Sequence, residues 1–113
     1  MENKTELVIT DIVEGTGLTA EKGALIFCHY TGTLEDGTKF DSSYDHGKPF
    51  ETVLSLKKVI QGWYLGIMGM KVGGKRKLFI PSHLGYGDQK KSKIPPNSNL
   101  LFEVELLEVR LRD

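Results

Sequence analysis

Cys28 is the chain's only cysteine, which excludes an internal disulfide and any Cys-x-x-Cys motif. Neither sign of charge is in surplus, since 15 Lys and Arg balance 15 Asp and Glu. That balance argues against a dedicated nucleic-acid binder, because neutralising phosphates needs a cationic excess. No apolar run approaches the roughly 20 residues of a membrane span. The opening MENKTELVIT lacks the basic-then-apolar layout of a signal peptide. A cytoplasmic protein with no membrane contact is therefore expected. Histidine is scarce too: His29, His46 and His83 stand apart with no ligand spacing, so no metal site is expected. There is no Gly-x-Ser-x-Gly elbow and no Walker motif, and Gly85-Tyr86-Gly87 follows no phosphate-binding pattern. No cofactor is expected.

What is present fits a single domain over residues 1–113. At this length roughly 65% of the unfolded surface can be buried, so neither disulfide nor metal is needed. A content of 39% hydrophobic and 27% charged residues is ordinary for a globular chain. Thirteen scattered glycines suggest many turns, and many turns suggest short strands.

Segment 6–14 reads as a strand ending at the turn Glu14-Gly15-Thr16-Gly17. Segment 23–33 alternates, with Ile26, Cys28 and Tyr30 on one face and Phe27, His29 and Thr31 on the other. Cys28 thus reads as a small buried hydrophobe, and His29 as a sheet-surface residue. Asp36-Gly37 is a hairpin signal leading back through 39–43. A loop over 44–49 and a short strand over 50–54 follow.

The only helical pattern spans 56–67, where Val59, Ile60, Trp63 and Ile67 form one apolar face. Ser55 is placed to cap it and Leu54 to staple onto Val59. Gly62 within it costs about 1 kcal/mol against alanine, which suits a place where another backbone packs closely. A turn over 71–74, a strand over 75–80 and a long polar loop over 81–99 come next. Loops of that length in small domains are usually functional. The last strand, 100–111, alternates Phe102, Val104 and Leu106 inward. Its parity slips after Leu106, a sign of a bulge or of the end of the buried region. The result is an α+β chain: five or six antiparallel strands forming a twisted sheet around one short helix.

Aromatics concentrate near loops and strand ends, fitting a concave apolar pocket with few polar groups. Several blocks then carry a resemblance in order along the chain. They are Cys28-His29-Tyr30-Thr31-Gly32, Gly37 to Ser43, Pro49-Phe50, Val59 to Trp63, Gly69 to Gly73, Gly85-Tyr86-Gly87, Ile94-Pro95-Pro96 and Leu101 to Leu106. Together they resemble an FKBP-type peptidyl-prolyl cis-trans isomerase from about Leu7 to Val109.

The resemblance implies that Trp63 forms a pocket floor, with Tyr30, Phe40, Phe50, Val59, Ile60, Tyr86, Ile94 and Phe102 as walls and rim. It implies that Asp41 is the charged residue at the pocket. It also implies that the Ile60 N–H and the Tyr86 hydroxyl orient a substrate carbonyl. The catalytic set it implies is Tyr30, Phe40, Asp41, Ile60, Trp63, Tyr86 and Phe102. Expected partners are proline-containing peptides, unfolded client proteins and rapamycin-like macrolides, and the expected state is a monomer.

Some positions depart from the family pattern. His46 stands where many members carry arginine near the aspartate, which would make an ion pair there pH-sensitive. Lys58 replaces a common acidic residue, and the loop from Tyr86 to Pro95 is shorter than in well-known members. Lys90, Lys91 and Lys93 form a small basic cluster, read as a solvated loop tip or a contact for an acidic partner. Two rival readings are a non-catalytic receptor using the same pocket and an RNA-binding β-domain, the latter conflicting with the neutral charge.

Overall fold

The computed structural model describes residues 6–111. The outer limits of the expected 1–113 domain, and Met1 to Thr5 of the sequence read for a leader, lie outside the described residues. Six strands form one antiparallel sheet: β1 (Val8–Val13), β2 (Leu25–Leu34), β3 (Lys39–Ser42), β4 (Phe50–Val53), β5 (Lys75–Ile80) and β6 (Leu100–Arg110). Their order is β1-β5-β6-β2-β3, with β4 also paired to β2. Strands β3 and β4 divide β2 between them: β4 takes Leu25 to Cys28 and β3 takes Thr31 to Thr33.

Period-two alternation decides which side chains enter the core. Ala24 just before β2 and Ile26, Cys28 and Tyr30 along it point inward, and along β6 Leu100, Phe102, Val104 and Leu106 do the same. The expected parity slip is a β-bulge at Leu107. Cys28 pairs with Leu106 but Phe27 pairs with Glu108, so Leu107 has no partner and is exposed. The bulge returns Val109 to the core at 4% exposure. Residues 14–17 do not form the expected turn. They form no regular element and bend at Gly17 against Val72, whose carbonyl accepts from the N–H groups of Thr16 and Gly17 at 3.2 and 3.1 Å.

The helix is shorter than its periodicity suggests. α1 covers Gln61–Ile67, seven residues, and not 56–67. Ser55 does not cap it through a side chain. Its carbonyl instead accepts from the N–H groups of Lys58 and Val59, giving one isolated turn. Ile60 then adopts extended backbone (φ −62°, ψ 154°) and stops that turn from joining the helix. Val59 and Ile60 are therefore released from the helix face toward the surface that follows.

Glycine lets α1 lie flat on the sheet. A Cβ at Gly62 would come within 2.4 Å of the Ile80 side chain, and one at Gly66 within 2.8 Å of Leu78. The close neighbour is thus β5's side-chain layer, not the backbone expected from sequence. Arg76 on β5 fastens the same joint, donating to the carbonyls of Gly66 (2.9 Å) and Met68 (3.1 Å) and pairing with Asp11 on β1 (2.7 Å). This restrains the helix C-terminus, whose last carbonyls lack intrahelical donors. Among the described residues, no helix is long and apolar enough to cross a membrane.

Candidate functional site

Trp63 occupies the first turns of α1 and is 4% exposed. Three rings meet it edge-on: Tyr30 of β2 at 5.1 Å, Phe102 of β6 at 5.4 Å and Phe50 of β4 at 5.8 Å between centroids. Phe40 of β3 packs edge-on against Phe102 at 5.5 Å. Edge-to-face pairs at this spacing are attractive and fix ring orientation. Five elements thus contribute one ring each to a single cluster, and the cluster's outer surface forms a groove of about 460 Å³. That volume lies in the usual range for a small-ligand site.

Nine of the ten residues expected at the site line this groove: Tyr30, Phe40, Asp41, Phe50, Val59, Ile60, Trp63, Tyr86 and Phe102. Ile94 is the exception. It is buried in the core at 5% exposure and does not line the groove surface. The groove also takes in Lys57, Lys58 and Lys91. Lys57 was not expected, because it sits in a segment whose apolar period reads as one continuous helix.

Asp41 is held from three directions. The Tyr30 hydroxyl donates to Oδ2 at 2.6 Å, the Ser42 N–H donates to Oδ1 at 2.8 Å, and His46 Nε2 lies 3.1 Å from Oδ1. Burial alone would push the Asp41 carboxyl up, but bonds from Tyr30, His46 and Ser42 outweigh it and hold the carboxyl below its ordinary value. Asp41 is thus anchored by its local donors and also lines the groove. Burial, then the bond to Asp41, pushes the Tyr30 phenol well up, so its hydroxyl stays a donor. Burial, reinforced by the Asp41 charge, also raises the Tyr86 phenol.

The polar edge rests on buried serines. The Ser43 Oγ accepts from the Tyr30 N–H at 2.8 Å and shares a hydrogen bond with His29 Nδ1 at 2.8 Å. His29 stacks on Tyr44 at 4.3 Å, on the face opposite the groove residue Tyr30. These bonds lock the β2–β3 junction from which Tyr30 and Asp41 both project.

Three donors are unspent. Among the described residues, neither the Ile60 N–H nor the Tyr86 hydroxyl has a hydrogen-bond acceptor. The buried Trp63 Nε1 has no partner there either. Cys28 offers no alternative chemistry: it is fully buried, and burial pushes its thiol to about 12. A thiol that stays protonated is a poor nucleophile.

A family model described as FKBP-type peptidyl-prolyl cis-trans isomerase matches residues 17–107. An FK506-binding protein of Neisseria meningitidis is 55% identical over 104 residues, covering 91% of this chain and 95% of that protein. The human peptidyl-prolyl cis-trans isomerase FKBP2 is 45% identical over 112 residues, covering 98% of this chain and 79% of that one. Among solved structures, AtFKBP13 superimposes with a TM-score of 0.82 at 46% identity, covering 90% of this chain and 91% of that one. FkpA from Escherichia coli gives a TM-score of 0.87 at 43% identity over 94% of this chain, which spans only 49% of that structure.

Proposed function

This chain belongs to the FKBP-type peptidyl-prolyl cis-trans isomerase family, and from that membership we propose that its aromatic groove isomerises X–Pro bonds without forming a covalent intermediate. The observation that supports this most is the ring cluster. Five rings from five elements, Trp63 among them, pack into one cluster, and the one acidic side chain lining the groove is already hydrogen-bonded.

Rotation about a peptide bond costs roughly 18–20 kcal/mol because amide resonance is lost in the twisted form. For X–Pro the uncatalysed exchange takes tens to hundreds of seconds. The twisted amide has less charge separation than the planar one. An apolar, water-poor groove therefore disfavours the planar ground state relative to the transition state. Acceleration follows only if the twisted geometry is bound more tightly. The proline ring would rest over Trp63, while the free Ile60 N–H and Tyr86 hydroxyl would hold a substrate carbonyl as the bond turns. Preorganised donors add an electrostatic contribution without reorganising during the reaction. The extended Ile60 backbone suits this role, since it leaves that N–H outside both the preceding turn and the helix.

In this reading the substrates are proline-containing peptides and unfolded client chains, and the protein acts as a monomer in the cytoplasm, assisting folding. Rapamycin-like macrolides would occupy the same groove, in keeping with the FK506-binding relatives. The test is cis/trans exchange of a proline peptide with and without rapamycin. Catalysis that rapamycin abolishes is expected. Macrolide binding with no catalysis would instead select a receptor role for the groove.

A further inference from the structure

The chain is neutral overall, but its groove is not. Three lysines line it, Lys57, Lys58 and Lys91, against a single carboxylate, Asp41. Asp41 is committed to Tyr30, Ser42 and His46. All three lysines are exposed, and none has an ion-pair partner among the described residues. They come from two separate segments. Lys57 and Lys58 sit in the isolated turn just before Val59 and Ile60, and Lys91 sits in the 81–99 loop with its Nζ 5.7 Å from the Tyr86 ring centre. The Lys91 segment is not loose: its N–H donates to the Ile94 carbonyl at 3.0 Å, and the Ile94 N–H returns a bond at 2.7 Å. The cations thus flank Ile60 and Tyr86, the two residues proposed to hold the substrate carbonyl.

We propose that Lys57, Lys58 and Lys91 select X–Pro segments carrying carboxylate side chains beside the proline dipeptide. The inference rests on the isomerase reading of the groove and names the class of peptide it prefers. An acidic side chain on either flank would meet an unpaired ammonium group. A basic one would meet like charge, with no free carboxylate to offset it. Lys58 is where the resemblance leads one to expect an acidic residue, so the sign of the rim is a property of this chain's own sequence.

The experiment compares peptides identical at the residue before proline but flanked by two Glu, two Ala or two Lys. Exchange gives kcat/KM, and fluorescence of Trp63, the chain's only tryptophan, gives Kd independently of turnover. At low ionic strength the Glu peptide is expected to exceed the Lys peptide by about three- to tenfold in both measures. The ratio should fall toward one near 1 M salt, where the screening length is about 3 Å. Lys57→Gln/Lys58→Gln/Lys91→Gln should lower the ratio at low salt, and Lys77→Gln on β5 should not. Equal Kd and equal kcat/KM for the Glu and Lys peptides would overturn the proposal, as would a ratio indifferent to salt. Tighter binding of the Glu peptide with no turnover of any peptide would support the charge preference while overturning the isomerase reading.

Discussion

The Tyr30 hydroxyl donates to the Asp41 carboxylate across 2.6 Å, joining the middle of β2 to β3 at the lip of the groove. The bond couples a buried ring that packs on Trp63 to the carboxylate lining the site. It also helps keep Asp41 ionised against the cost of burial.

That coupling has a pH signature. A carboxyl whose folded pKa lies below its unfolded value, about 3.9, adds stability that is complete above the unfolded value and is lost as pH falls through the folded one. Asp41→Asn should therefore be less stable than the parent near neutrality, and the gap should close on acidification below the ordinary carboxylate range. Urea unfolding at a series of pH values measures it, and a gap that does not change with pH would contradict the assignment. In Tyr30→Phe, the Asp41 carboxyl should titrate higher than in the parent by NMR.

Gly62→Ala sets local preference against packing. Alanine is the better helix former by about 1 kcal/mol, but its Cβ would meet the Ile80 side chain at 2.4 Å. Overpacking dominates, so a net loss of roughly 1–3 kcal/mol is expected in denaturant unfolding. Gly62→Ala/Ile80→Val should recover part of it, whereas a neutral or stabilising Gly62→Ala would show that α1 does not lie so close to β5.

Arg76 carries the joint between helix and sheet. Arg76→Ala removes its bonds to the Gly66 and Met68 carbonyls and should cost roughly 1–3 kcal/mol. Asp11→Asn removes only the outer ion pair and should cost less than about 1 kcal/mol. Equal losses in the two variants would place the value of Arg76 in its ion pair with Asp11.

Cys28→Ala separates packing from chemistry. The buried thiol is not a nucleophile in this account, so kcat/KM on a proline peptide should stay near the parent value. A large loss of turnover in a folded Cys28→Ala variant would point to covalent chemistry.

The sheet was legible wherever alternation was strict. Ile26, Cys28 and Tyr30 on β2 and Phe102, Val104 and Leu106 on β6 lie where period two places them, and the parity slip, which left a bulge or the end of the buried region open, falls at the bulge at Leu107. The start of α1 was not legible. Val59 and Ile60 keep helical spacing while Ile60 leaves helical backbone, and apolar period cannot report a backbone dihedral. Nine groove-lining positions were named from ordered family blocks, but Ile94 is covered by the core it packs against. Arg76 was missed because its partner Asp11 lies 65 residues away in sequence and its helix contacts are to backbone carbonyls. Neither leaves a local pattern.

In the proposed mechanism, aromatic packing around Trp63 accelerates rotation of the X–Pro bond. The most direct measurement is catalysed cis/trans exchange by the parent, Trp63→Ala and Phe102→Ala, each confirmed folded by circular dichroism. The account predicts that both variants lose most of the parent's kcat/KM. Near-normal turnover in both would contradict it.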